Sequence, residues 1–318
     1  MNQTESFEIS RRRLFAMAGI SAGAALFVRR PLFANEEGIV PTMVNAAAKA
    51  KISAQPLRRN ITVLEGSGGN IAVLTGRDGK LLVDAGFSVS RPAISDALAS
   101  INSEPIKHLI NTHWHTDHTD GNVWLHSAGA AITAHENTRK RLSVATRVEG
   151  WAYTFPAAPA GALPTKVFAA DYEIRPNDTR ILLKYYSPAH TDSDISVNFT
   201  DADVIHVGDT WWNGVYPFID YSTGGSIDGQ IRAAEANIAM VTDKTIVIPG
   251  HGPVGSKADL VEFRDMLVAI RDNVAALKKQ GKPLAETIAA KPTAQYDAKW
   301  GQFLITPAAF TGLVYMGV

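Results

Sequence analysis

The chain has 318 residues, 31 basic and 31 acidic side chains, no cysteine, and a hydrophobic share of 46%. That length and apolar content suit a globular α/β protein with a sizeable core, and no repeat, charge run or low-complexity linker divides the chain. Balanced charge leaves no basic surplus for phosphates, which argues against a nucleic-acid partner, and the missing cysteines exclude a disulfide framework.

The N-terminus carries Ser10-Arg11-Arg12-Arg13-Leu14-Phe15, then a weakly apolar run from Leu14 to Val28 rich in Ala and Gly. Its 15 residues fall short of the roughly 20 that a spanning helix needs. The segment resembles a twin-arginine signal peptide: Ser, an Arg pair, any residue, then two apolar residues, with a cleavage point after Ala34. The expectation is export to the periplasm, already folded, by the twin-arginine machinery, with no stable membrane span after cleavage. An uncleaved anchor and an ordinary secretory signal are the competing readings. Residues 1–34 hold five Arg and two Glu, so the remainder is mildly acidic, with a net charge near minus three.

Past an N-terminal extension at 35–59, three short strands are expected at Ile61 to Glu65, Asn70 to Thr75 and Lys80 to Asp84. The turn signals Gly66-Ser67-Gly68-Gly69 and Arg77-Asp78-Gly79 separate them. From Arg91 to Ile101 the apolar spacing becomes helical, with Pro92 in the first turn. A strand at His108 to Asn111 leads into the run Asn111-Thr112-His113-Trp114-His115-Thr116-Asp117-His118. A helix at Gly121 to Ser127, a strand at Ala131 to Ala134 and a helix at Glu136 to Val144 follow. Trp151 to Ala170, with Pro156, Pro159 and Pro164, reads as irregular. Strands return at Thr179 to Tyr185, Ile195 to Thr200, Val204 to Val207 and Thr245 to Ile248, with a helix at Gly229 to Thr242. From Lys257 the pattern is mostly helical, and the 256–318 stretch is read as an extension of the same domain.

Three imidazoles and a carboxylate within six residues have little structural use other than holding metal ions. Imidazole nitrogen and carboxylate oxygen suit zinc, and also iron or manganese. The alternating His113 and His115 share one side of an extended segment, whereas Asp117 and His118 start the next turn and face a second point. Three more positions, His190, Asp209 and His251, each lie just past an apolar run. Strand ends on a rigid scaffold can aim ligands at one place.

This order of motifs, H-x-H-x-D-H followed by a His, an Asp and a last His, resembles the metallo-β-lactamase superfamily across roughly residues 60 to 255. The resemblance implies an αββα four-layer sandwich with a glyoxalase II-like dinuclear site. One metal would be held by His113, His115 and His190, a second by Asp117, His118 and His251, with Asp209 bridging. Two divalent metal ions, zinc preferred, would lower the pKa of a bridging water so that hydroxide attacks a carbonyl at neutral pH. Asp117 would orient that hydroxide and carry its proton. Asp84, at the end of its strand, would support the ligands from behind, or else simply form a turn. His108, His126, His135 and His206 read as ordinary histidines.

The implied activity is that of an exported metal-dependent hydrolase acting on a small molecule: an ester, thioester, lactone or β-lactam. Trp211 and Trp212 stand where some β-lactamase branches carry a Lys, and they either wall an apolar pocket or pack in the core. Asn213, Tyr216 and Tyr221 are candidate donors to a developing oxyanion. Thr119-Asp120-Gly121 replaces the usual Gly-Gly, so the turn is altered at Asp120, although Asp tolerates a left-handed conformation better than most residues. His115, where redox branches often place Glu, favours hydrolysis over a metal-dependent oxidoreductase. A non-catalytic metal-binding protein is the other alternative.

Overall fold

The computed structural model describes residues 38–318, so the expected signal segment lies outside the described residues. An N-terminal helix, α1 (Ile39–Ala47), comes first, and two sheets follow. The first sheet holds β1 (Ser53–Pro56), β2 (Ile61–Glu65), β3 (Ile71–Leu74), β4 (Lys80–Val83), β5 (Ile106–Ile110), β6 (Ala131–His135) and β9 (Lys166–Phe168), in the order 1-2-3-4-5-6-9. A small hairpin pairs β7 (Thr146–Val148) with β8 (Tyr153–Phe155). The second sheet runs β10 (Tyr172–Ile174), β11 (Ile181–Tyr185), β12 (Ile195–Phe199), β13 (Val204–His206) and β14 (Ile246–Ile248), in chain order.

Alternation along the strands decides the layers. Ile61, Val63, Ala72, Leu74, Leu81 and Val83 face Ile181, Leu183, Ile195, Val197, Phe199 and Val204, which packs the sheets face to face. On the first sheet's other face, Leu64, Val73, Leu82 and Leu109 meet Ile94 and Leu98 of α2 (Arg91–Ile101), together with Leu125 of α4 (Asn122–Ser127). A one-turn helix, α3 (Thr116–Thr119), precedes α4, and α5 (Glu136–Leu142) follows β6. Beyond the second sheet, Ile205, Val207 and Val247 meet α6 (Ile227–Met240) and α7 (Lys257–Lys279). The layers are therefore α, β, β, α. Each fully buried Val, Leu or Ile side chain contributes about 1.5–3 kcal/mol to holding them together.

Local sequence sets the helix ends. Pro92 sits in the first turn of α2, where its missing N–H has no intrahelical partner to lose. Ser256 and Asp259 form a reciprocal capping box at the start of α7. The C-terminal helices α8 (Leu284–Ala289), α9 (Asp297–Trp300) and α10 (Pro307–Gly317) add Trp300, Phe310 and Leu313 to the core beneath α7. Among the described residues no helix is long and apolar enough to cross a membrane.

Two expectations change. The 151–170 segment is not wholly irregular: β8 lies within it, paired with β7, and β9 pairs parallel with β6 as a sheet edge. Strands as short and as exposed as β8 and β9 show too little apolar patterning to be read from sequence, and here backbone pairing with a neighbour defines them. Asp120 is right-handed (φ −61, ψ −29), and its carboxylate accepts from the Ser88 backbone N–H (2.7 Å) and hydroxyl (2.5 Å).

Candidate metal centre

β4, β5 and β6 run parallel, as do β13 and β14, and β12 runs antiparallel to β13. The loops that follow β4, β5, β13 and β14 and the loop that precedes β12 therefore gather at one end of the sandwich. Those loops carry all seven expected ligands. His113, His115, His190 and Asp209 offer ligand atoms within 4.8 Å of one another, and Asp117, His118 and His251 form a second such group. Asp209 touches both: its Oδ2 is 3.4 Å from His190 Nε2 and 3.4 Å from His251 Nε2, while its Oδ1 is 3.1 Å from His118 Nε2. All seven are buried, His251 the most exposed at 8%.

Four further residues hold these ligands. Asp84 adopts φ 67, a left-handed conformation that Asp tolerates better than most. From there its carboxylate accepts the Thr112 N–H and hydroxyl (2.7 Å each) and faces His118 Nδ1 at 2.7 Å. Asp194 accepts the His190 and Thr191 backbone N–H groups at 2.8 Å, and Asp220 faces His115 Nε2 at 3.1 Å. Asn70 donates to the carbonyls of Pro249 and Gly252, tying down the turn that carries His251. Glycine is required where backbone crowds ligand: a Cβ on Gly69 would strike the His118 ring, and one on Gly250 would strike Asp209 Oδ1.

Sequence reading misses Asp194, Asp220 and Asn70. Asp194 lies four residues past His190, but Asp192 lies closer, and spacing does not separate them. Asp192 instead pairs with Arg141 at 2.6 Å. Asp220 is 105 residues from its partner His115 and carries no local signal.

The other sequence candidates divide. Trp212 packs its ring against His251 at 4.2 Å, while Trp211 is fully buried in the core, so one of the pair walls the site and the other does not. Trp151 covers His115 from the other side at 4.7 Å. Tyr216 is no oxyanion donor: its hydroxyl is turned to Asp297 Oδ1 at 2.9 Å. Asn213 is committed to the Pro253 carbonyl at 2.7 Å, and the Tyr221 hydroxyl faces the Ile227 backbone. Asn213 and Tyr216 are thus held by segments packed behind their loop, away from the ligand cluster. His206 holds Asn70 O and the Gly208 N–H, and His135 stacks on Tyr185, both ordinary structural roles.

The electrostatics of the site are those of an acceptor set. Burial, then the neighbouring His118, holds the His113 imidazole well below the ordinary histidine value, and burial also lowers His190. Burial opposes charge on His118 as well, but the carboxylates of Asp209, Asp117 and Asp84 outweigh it and hold that ring well above the usual range. His251 rises against its burial to about 9, driven by Asp209 and Asp117. Burial would raise Asp209, yet His251, His118 and the other rings pull it well below the usual carboxylate range. The two rings and Asp209 are thus held toward their charged forms by one another, and a cation bound there would compete with the ring protons.

Donor atoms that face one another across the cluster without forming hydrogen bonds show that the residues fit metal ions. His113 Nε2, His118 Nε2, His251 Nε2, Asp117 Oδ1 and Asp209 Oδ1 are buried and make no hydrogen bond. Leaving such atoms unsatisfied costs about 1–3 kcal/mol apiece, and more for charged groups. The His/Asp clusters are thus able to bind metal ions.

The sequence profile of the metallo-beta-lactamase superfamily matches residues 64–256. A hydroxyacylglutathione hydrolase from Polaromonas sp. (strain JS666) is 27% identical over 182 residues, which are 57% of this chain and 59% of that protein. The chain thus spans about three fifths of the length of this curated relative. Among solved structures, the inverting sec-alkylsulfatase Pisa1 from Pseudomonas sp. aligns with a TM-score of 0.61 at 15% identity, over 86% of this chain and 52% of that one. A metallo-beta-lactamase from Pontibacter korlensis aligns at 0.56 and 15%, over 68% and 99%. With the profile covering more than half of its length, the chain belongs to the metallo-beta-lactamase superfamily.

Proposed function

We propose that this protein is an exported, dinuclear metal-dependent hydrolase, with zinc as the preferred ion, acting on a carbonyl of a small-molecule ester, thioester, lactone or β-lactam. One observation carries the metal reading. His190 Nδ1 donates to the Phe218 carbonyl at 2.8 Å, and His115 Nε2 faces the Asp220 carboxylate, so each ring's proton is committed. The remaining nitrogens, His115 Nδ1 and His190 Nε2, then confront each other at 2.9 Å with lone pairs inward. Only a cation, a proton or a metal ion, relieves that repulsion.

Bound divalent ions would supply Lewis acidity and an activated water at neutral pH. The chain's own residues do the rest. Asp117 keeps Oδ1 free while Oδ2 faces His251 Nε2 at 3.2 Å, which leaves an acceptor for a proton of the attacking water. Trp151 and Trp212 flank the two ligand groups and exclude bulk solvent.

The test is metal analysis joined to a hydrolysis panel of a chromogenic cephalosporin, simple esters, lactones and hydroxyacylglutathione, the last suggested by the curated relative. About two zinc ions per chain and turnover of at least one substrate are expected. Iron with a redox-active spectrum and no hydrolysis would support the oxidoreductase alternative. Tight zinc without turnover across the panel would favour a metal-binding protein.

Export to the periplasm rests on Ser10 to Phe15 and the run after it. Replacing both Arg11 and Arg12 with Lys should leave the protein in the cytoplasm, as read by cell fractionation. Undiminished export would sink the twin-arginine reading.

A further inference from the structure

We propose that Asp220 is the positioning residue that fixes the tautomer of His115, and that the loop bearing it presets His115 and His190 together for one of the two metal ions. Two main-chain contacts and one side-chain contact tie the loop to His190. Asp220 N–H donates to the His190 carbonyl (3.0 Å), Ser226 N–H donates to Ala189 O (2.9 Å), and Phe218 O takes the His190 Nδ1–H. Gly225 closes the same seam, where a Cβ would meet the carbonyls of both His190 and Asp220.

The carboxylate is saturated by donors. Its Oδ2 faces His115 Nε2 (3.1 Å) and accepts the Thr223 hydroxyl (2.6 Å), while Oδ1 accepts the Ser222 N–H (3.1 Å) and the Ser222 hydroxyl. Trp114 Nε1–H donates to Thr223 Oγ1 at 3.3 Å, which leaves that hydroxyl's own proton for Asp220. Four donors on two oxygens require a group that only accepts. A neutral amide cannot replace it: an Asn at this position must turn its NH2 either toward the Ser222 N–H or toward His115 Nε2. In the second case the imidazole proton moves to Nδ1, the nitrogen that faces His190 and would bind metal. Such carboxylate–histidine pairs behind a metal ligand are worth about 10–100-fold in metal affinity.

The inference rests on reading His113, His115 and His190 as a metal site, and the experiment separates the two. Cobalt(II) titration of the metal-free protein, followed by its visible absorption, counts and ranks the sites in wild type and in Asp220→Asn. The expected result is about two tight equivalents in wild type. In the variant, one should remain tight and the other weaken about 10–100-fold, with circular dichroism unchanged. A nitrogen NMR spectrum of the loaded wild-type protein serves if the variant does not fold, and should show the His115 proton on Nε2. Wild-type protein that binds no cobalt would overturn the metal reading and the inference with it. Two equally tight sites in a folded Asp220→Asn, equal weakening of both, or a His115 proton on Nδ1 would overturn the inference alone.

Discussion

Replacing His113 with alanine is expected to lower kcat/KM on whichever panel substrate is turned over by about 10³-fold or more, and to reduce bound metal from about two ions to one. The reason is positional. His113 is fully buried, its Nε2 has no hydrogen-bond partner, and its ring packs between His115, His190 and His118 at centroid distances of 4.2–4.9 Å. No neighbouring side chain can take over its nitrogen without leaving its own anchored position. Loss of several kcal/mol of charge stabilisation corresponds to about three decades of rate, at about 1.36 kcal/mol per decade. Steady-state kinetics alongside metal analysis would decide it. Activity within tenfold of wild type, with two ions still bound, would rule out His113 as a ligand.

Stripping the metal with a chelator is expected to lower Tm by about 10 °C or more, and adding zinc back should restore it. Ions that bind only the native state stabilise it by mass action, about 4 kcal/mol for each site at a thousandfold excess over its Kd, and each kcal/mol moves Tm by a few degrees in a chain of this size. The metal-free protein must bring the acids Asp117 and Asp209 and five imidazoles together in a buried space with no metal charge to offset the acids. Without cysteine, no disulfide compensates for the loss. Thermal unfolding followed by circular dichroism, with and without chelator, is the measurement, and superimposable curves would show that the cluster does not hold metal in the folded state.

Both expectations depend on seven residues that stand out in the amino-acid sequence itself. Their legibility has a physical origin. His113, His115, Asp117 and His118 are crowded into one loop at a strand end, and a polar crowd of that kind is costly to bury for any purpose other than holding cations. His190, Asp209 and His251 are legible because each follows an apolar run. Most strands show the same legibility, since β2 to β6 and β11 to β14 carry enough apolar residues to declare themselves, whereas β1, exposed along its length, does not.

The groups that hold the ligands are far less visible. Asp220 meets His115 across 105 positions, and Asn70 reaches Pro249 across 179, so nothing local marks either one. Asp84 is only half legible: its place at a strand end suggests a supporting role, but the left-handed backbone that aims it at Thr112 and His118 exists only in the folded turn. Asn213 and Tyr216 mislead because proximity in sequence to Asp209 says nothing about direction, and both side chains point into the turns and helices behind the loop.

The sequence by itself determined the donor types and their order, which follow from side-chain chemistry, and most of the strands and helices, which follow from the period of apolar residues; the layer architecture and the family were legible through the resemblance that the motif order carries. Only the tertiary structure decided which nitrogen of each imidazole faces the site, which tryptophan walls it, and which carboxylates stand behind the ligands. Those outcomes depend on contacts between segments a hundred residues apart, and such contacts arise only when the two sheets pack and bring their loop ends together.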